Sequence, residues 1–154
     1  MIRKATKQDI DGINKLLYQI DKLHADIRPD IFAPSGKKYT DEELADIIEE
    51  GKDPIYVYEE NGEIKGHLFC IIKIREPNEG RKGEKEFYID DICVDENARG
   101  QGIGKALFDF AKALAASEAC DAITLNVWNG NDDAEAFYKK MGMSVRKTKL
   151  ELKI

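Results

Sequence analysis

F-Y-I-D-D-I-C-V-D-E-N-A-R-G-Q-G-I-G-K-A-L-F-D-F-A-K-A-L-A-A, residues 87–116, changes character twice along its length. It opens as an apolar strand carrying the β-branched Ile89, Ile92 and Val94, crosses a polar turn, and enters Arg99-Gly100-Gln101-Gly102-Ile103-Gly104. The glycines there permit a backbone that side chains would block. Beyond them Ile103, Leu107, Phe110, Ala111 and Leu114 recur at helical spacing, with Lys105, Asp109 and Lys112 falling largely between. A strand, a glycine-rich turn and a helix N-terminus in that order aim several backbone N–H groups at one point, where the helix dipole also favours negative charge. The stretch predicts a phosphate cradle.

The spacing excludes two familiar cradles. A Walker A loop needs four residues between its glycine and Gly-Lys, then Ser or Thr, whereas Gly100 and Gly104 enclose three and Ala106 follows Lys105. The dinucleotide fingerprint G-x-G-x-x-G fails by one residue, and this unit lies late in a short chain instead of opening a doubly wound half.

Arg99 to Gly104 is similar to the R/Q-x-x-G-x-G/A motif of the GCN5-related N-acetyltransferases (GNAT), and I-C-V-D-E-N-A before it resembles that family's central strand and turn. The resemblance implies an α/β (α+β) fold with a mixed, mostly antiparallel central sheet and helices on both faces. It implies acetyl-CoA as co-substrate, with the loop from Arg99 through Gly100, Gln101, Gly102, Ile103, Gly104 and Lys105 at the pyrophosphate and Ile92, Cys93 and Val94 along the pantetheine arm. The arm would pair with the strand end as an added strand. The implied reaction is direct attack of an amine on the thioester in a ternary complex.

A second match, N-G-N-D-D-A-E-A-F-Y-K-K-M-G-M over residues 129–143, sets Tyr138 on the family's recurrent tyrosine and Asn131 on an asparagine that often contacts the cofactor. Tyr138 is then the expected acid for the departing thiolate. Asn126 stands where some members carry a catalytic glutamate, so that base is missing. Asp90-Asp91 matches the E-D pair of polyamine acetyltransferases, which makes Asp90 the candidate base or amine anchor. Alternation would send the two aspartates to opposite faces unless the strand is bulged. Cys93, without a histidine in visible partnership, reads as inert packing.

The remaining chain is consistent with a single N-acetyltransferase domain spanning residues 1–154, a length that suits one core. A formal charge of −6 from 24 Lys+Arg against 30 Asp+Glu draws the surface toward neither nucleic acid nor anionic lipid, and would suit a cationic acceptor. Cys70, Cys93 and Cys120 form no close pair and read as reduced thiols, while His24 and His67 lack a ligand-spaced partner, so no metal is expected. With no long apolar run and no signal-type core, a cytoplasmic location is expected.

Thr6 to Asp9 and Thr40 to Glu43 read as capping boxes ahead of two helices. The first carries Ile10, Ile13, Leu17, Ile20 and His24 on one face. Between the two helices lie Asp26, Arg28, Asp30 and Phe32, which with His24 are specificity candidates if the connection borders an acceptor pocket, as the resemblance implies. Ile55–Tyr58 and Ile64–Ile74 read as a hairpin about Asn61-Gly62. Residues 122–128 read as a strand parallel to the central one, and residues 144–154, with alternating Leu150 and Leu152, as a closing strand. The acceptor is expected to be a primary amine of a small molecule, peptide or protein, and a homodimer is possible within the family. A non-catalytic acyl-CoA sensor is the competing reading, and a longer acyl group is open.

Overall fold

The central pair of the sheet is Glu63–Arg75 (β3) against Glu84–Val94 (β4), antiparallel from Gly66 opposite Val94 to Arg75 opposite Glu84. The computed structural model describes residues 1–154 throughout. Ile2–Lys4 (β1) and Ile55–Glu60 (β2) extend the antiparallel part on one side, and Ala122–Thr124 (β5) joins β4 in parallel on the other, giving the order β1-β2-β3-β4-β5. Asn61 and Gly62 turn β2 into β3 with φ of 53° and 79°. Two positive φ values in a two-residue loop match the right-handed twist of the strands they join.

Four helices cover the two faces. Ile10–Ile27 (α1) and Asp41–Glu50 (α2) lie on one, Ile103–Ser117 (α3) and Asp132–Lys140 (α4) on the other. Beneath α3, Leu68, Cys70, Phe87, Ile89, Ile103, Leu107, Phe108 and Ala111 form a continuous apolar cluster. A smaller one joins Ile13, Leu17, Leu44, Ile55, Val57 and Phe69 beneath α1 and α2. Gly66 lets α3 come close: a Cβ there would stand 2.9 Å from Leu107 Cδ1 and 3.1 Å from the Cys93 carbonyl. α2 begins with the expected box, in which Thr40 Oγ1 accepts from Glu43 N and Glu43 Oε1 accepts from Thr40 N, each at 3.1 Å, and it ends on Gly51 at φ 66°.

Two expected strands come out differently. β5 stops at Thr124 instead of running to Trp128, because it leaves β4 just where β4 bulges. Residues 144–154 form no strand. Their backbone makes no hydrogen bond to the sheet; charged side chains reach back to the body while Leu150 and Leu152 stay 87% and 85% exposed. Arg146 pairs with Glu84, Glu151 with Arg28 at 2.7 Å, and Lys153 with Asp30 at 2.5 Å. α1 also runs on past His24 to Ile27 before the prolines end it. No helix is long and apolar enough to cross a membrane.

Candidate active site

β5 pairs with β4 only at Glu86–Ala122, Phe87–Ile123 and Tyr88–Thr124. Past Tyr88 the two strands part, so the edge of β4 from Ile89 to Val94 has β3 on one side and no strand on the other. In an antiparallel ladder alternate residues turn their N–H and C=O away from the partner, so this edge offers a row of unclaimed backbone groups to an extended ligand. Ile92 and Val94 set their side chains against the α3 cluster. Cys93 turns the other way, its thiol 3.7 Å from the Leu16 carbonyl, and burial pushes it up to about 12, so it stays a protonated thiol.

At the end of this edge the chain turns through Asp95–Arg99 into the glycine loop. Gly100 and Gly102 take φ of 78° and 80°, and a Cβ on either would meet nothing within 4 Å. Gly102 caps α3 with no side-chain bond, which leaves the N–H groups of Ile103, Gly104 and Lys105 without an acceptor. This is an open, amide-lined cradle at a helix N-terminus. Arg99 and Gln101 are exposed at it, Lys105 stands one turn before Asp109 with their charges 2.5 Å apart, and Gly104 brings α3 against the Phe137 ring of α4. Ile103 is buried and anchors the helix through its side chain.

The turn is held from α1. Asp95 is 1% exposed and accepts from Lys15 Nζ at 2.7 Å, Gln19 Nε2 at 3.3 Å and Asn97 N at 3.1 Å, while Gln19 Oε1 accepts from Glu96 N at 3.0 Å. The Lys15 bond, opposed by burial, holds the Asp95 carboxyl below the usual carboxylate range. Neither Lys15 nor Asp95 stands out in sequence, since only the fold sets α1 over this turn.

The bulge decides where the aspartates go. Phe69 pairs with Asp91 and Cys70 with Ile89, leaving Asp90 as the extra residue. Strand phase shifts by one across it, so Phe87 and Ile89 before it and Ile92 and Val94 after it all face α3, while Asp90 and Asp91 both turn toward α1 and α2. Asp90 is bound there by its neighbours. The Tyr39 hydroxyl donates to its Oδ2, and Lys38 Nζ lies 3.1 Å from Oδ1 and donates to its carbonyl at 2.8 Å. It also lines a cavity of about 120 Å³ with Tyr39, Ile47, Phe69 and Ile71. Asp91 instead meets His67 Nε2 at 2.6 Å.

Tyr138, on α4, is packed with Phe108 and Phe137 and makes no hydrogen bond within the chain. Burial raises its hydroxyl well above the usual tyrosine range, and the charge of Asp91 adds to the shift. A phenol kept protonated at neutral pH has a proton to donate. Asn131 caps α4, its Oδ1 3.4 Å from Ala134 N, and Asn126 Nδ2 donates to the Tyr88 hydroxyl at 3.0 Å. At the end of α1 and in the connection to α2, the tilted rings of His24 and Phe32 lie 5.0 Å apart, Phe32 meets Trp128 edge-on at 5.1 Å, and Arg28 lies 6.0 Å over the Trp128 ring. Arg28 also pairs with Asp30, at 2.7 Å.

A model of the acetyltransferase (GNAT) family matches residues 17–143 of the chain. The chain is 43% identical over 58 residues to a peptidyl-lysine N-acetyltransferase, YjaB, of Salmonella typhimurium, covering 38% of this chain and 37% of that one. It is 37% identical over 92 residues to the 5-NmdU N-acetyltransferase of Pseudomonas phage PaMx11, covering 59% and 57%. The matches thus span from about a third to under two thirds of these curated relatives' lengths. A crystal structure of a mutant of the BH1408 protein from Bacillus halodurans superposes with a TM-score of 0.95 at 30% identity, over 100% of this chain and 99% of that one.

Proposed function

The chain belongs to the acetyltransferase (GNAT) family, and from that premise we propose that it transfers an acetyl group from acetyl-CoA to a primary amine by direct attack. The observation that carries this reading is the parting of β4 and β5 beyond Tyr88 and Thr124, directly upstream of the glycine cradle. The residues present suit the co-substrate at both ends. The open space at Gly100 and Gly102, with the free amides of Ile103, Gly104 and Lys105, suits a pyrophosphate. The unpaired edge from Ile89 to Val94 suits the amide-bearing pantetheine arm.

When bound, acetyl-CoA supplies an activated carbonyl and a thiolate leaving group. The chain's residues have three tasks around it. An amine of pKa near 10.4 is neutral in only about one molecule in 2,500 at pH 7, a deficit of roughly 4.6 kcal/mol, so an anion must hold the ammonium and help remove a proton. The Asp90–Asp91 bulge supplies two carboxylates; Asp90, the expected base or anchor from its family position, has both oxygens taken by Tyr39 and Lys38, which leaves the task open between the pair. Outward N–H groups of the β4 edge near Cys93 and Val94 can donate to the carbonyl oxygen as charge builds there. Tyr138, protonated and without an internal acceptor, donates to the leaving sulfur.

Tyr138→Phe should leave acetyl-CoA affinity unchanged by calorimetry while thiol release over a panel of amines falls by about 10²-fold. Full turnover in that variant would remove Tyr138 from the reaction. Acetyl-CoA uptake by the unmutated chain with no amine-dependent thiol release would make it a binding module instead, a reading that the amide at Asn126 favours.

A further inference from the structure

We propose that Asp91 is the carboxylate that receives the acceptor amine, and that buried His67 is the positioning residue that aims it. This rests on the acetyl-transfer reading above. The two aspartates of the bulge share a face but not a state. Both oxygens of Asp90 are engaged, by the Tyr39 hydroxyl and by Lys38. Asp91 has a single side-chain partner, His67 Nε2, on Oδ2, and its Oδ1 has no partner in the chain and is not sealed from solvent. One carboxylate is spoken for and the other is half free.

His67 is 0% exposed, opposite Cys93 in the β3–β4 register and 4.9 Å from the Phe69 ring. Its Nδ1 is buried without a partner. A proton on Nδ1 would be a donor with nothing to receive it, so the ring carries its hydrogen on Nε2 and gives it to Asp91. That leaves the negative charge on Asp91, whose side chain is 10% exposed and whose Oδ1 has no partner. The titratable groups about the pair are Tyr138 from α4, Tyr39 from the segment before α2, Cys93 on its own strand and Asp21 on α1, near Cys93. Asp95 and the cation Arg99 also reach Cys93, and Lys38 is held by adjacent Asp90, but no cation is bonded to Asp91, whose side chain meets His67 alone. The charge of Asp91 helps raise the Tyr138 hydroxyl.

In the reaction Asp91 Oδ1 binds R–NH3⁺ and takes one proton as the nitrogen lone pair forms the N–C bond. The C–S bond breaks, the sulfur takes the Tyr138 proton, and the second nitrogen proton restores Tyr138. Asp91 then releases its proton to water through the open side, for a net output of amide, thiol and one H⁺.

The test compares Asp91→Asn, Asp90→Asn, His67→Leu and His67→Gln in the full chain. Asp91→Asn should keep acetyl-CoA affinity, lose about 10²-fold or more in kcat/KM for the amine, and lose the acidic limb of the pH profile, which persists in Asp90→Asn. His67→Leu should cost about 10- to 100-fold with a displaced acidic limb, and His67→Gln, which retains a donor toward Asp91, should recover most of it. Independently of activity, nitrogen NMR of the resting protein should find the Nε2–H form of His67, and Asp91→Asn should perturb it. An intact acidic limb in Asp91→Asn, equal losses in both His67 variants, or a His67 ring protonated on Nδ1 alone would each overturn the proposal. If the unmutated chain acetylates no amine but the NMR result holds, the acetyl-transfer reading has failed and the pair stands as a structural couple only.

Discussion

The two faces of the sheet are built from different materials. Against α3 the buried residues are all apolar, from Leu68 and Phe87 to Leu107 and Ala111. Against α1 the apolar cluster is about half the size, and the four buried polar side chains, Asp9, Asp21, His67 and Asp95, all lie on α1, at its N-terminus or in contact with its side of the sheet. One face carries the fold. The other has exchanged packing for charged and hydrogen-bonded groups that fix the turn before the cradle and the carboxylates of the bulge, and β4 is the strand both faces share.

Leu107→Ala is the harshest probe of the first face. Leu107 is fully buried beside Gly66, and its truncation leaves a cavity among rigid neighbours, so a loss of about 2–5 kcal/mol is expected in denaturant unfolding. Activity at low temperature should survive in whatever fraction stays folded. A loss under about 1 kcal/mol would mean that α3 is not the main support and would break the contrast.

Asp95→Ala probes the second face with a smaller effect on stability and a larger one on the site. It strips acceptors from Gln19 and Asn97 and the counter-charge from Lys15, at a cost of about 1–3 kcal/mol, and should loosen the turn enough to weaken acetyl-CoA binding. The pH dependence follows from the sign of the shift. The folded carboxyl is held below its unfolded value, so its contribution is complete above the usual carboxylate range and is lost as pH falls through the depressed value. The acid-unfolding midpoint of the native chain should therefore lie below that of Asp95→Ala, and identical acid limbs would show that Asp95 is not a support. Asp9, depressed mainly by its bond to Arg3, has the same sign and stays in place as the internal control.

The faces also differ in how far sequence reveals them. Helical spacing picks out Ile103, Leu107 and Ala111 correctly, and the glycine loop and both asparagine-led turns read directly, because each is a local pattern with one physical cause. Phe108, off the expected stripe, is nonetheless 2% exposed, since the α4 aromatics close over it. On the other face the informative relations are long-range. His67 and Asp91 meet through strand register across 24 residues, and Lys15 and Asp95 across 80. Asp90 and Asp91 read as opposed because alternation is the default, and only the bulge puts them together. The closing strand fails for the related reason that alternation signals a strand only where a neighbour exists to pair with it.

Lys105→Ala should be almost silent in unfolding, and for that reason it separates the two tasks of α3. Lys105 is exposed and its pair with Asp109 is one turn along the helix surface, where solvent and side-chain entropy offset most of the attraction. Replacing it should leave the melting temperature unchanged. Its ammonium nonetheless stands in the first turn beside unclaimed amides, and a charged donor lost from a diphosphate should weaken coenzyme A roughly tenfold at low salt, less as ionic strength rises. Leu107 and Lys105 lie two positions apart on one helix, and truncating them should give opposite signatures, stability without affinity in one case and affinity without stability in the other. A fall in melting temperature with unaltered coenzyme A affinity in Lys105→Ala would mean that this helix end stabilises itself and grips nothing.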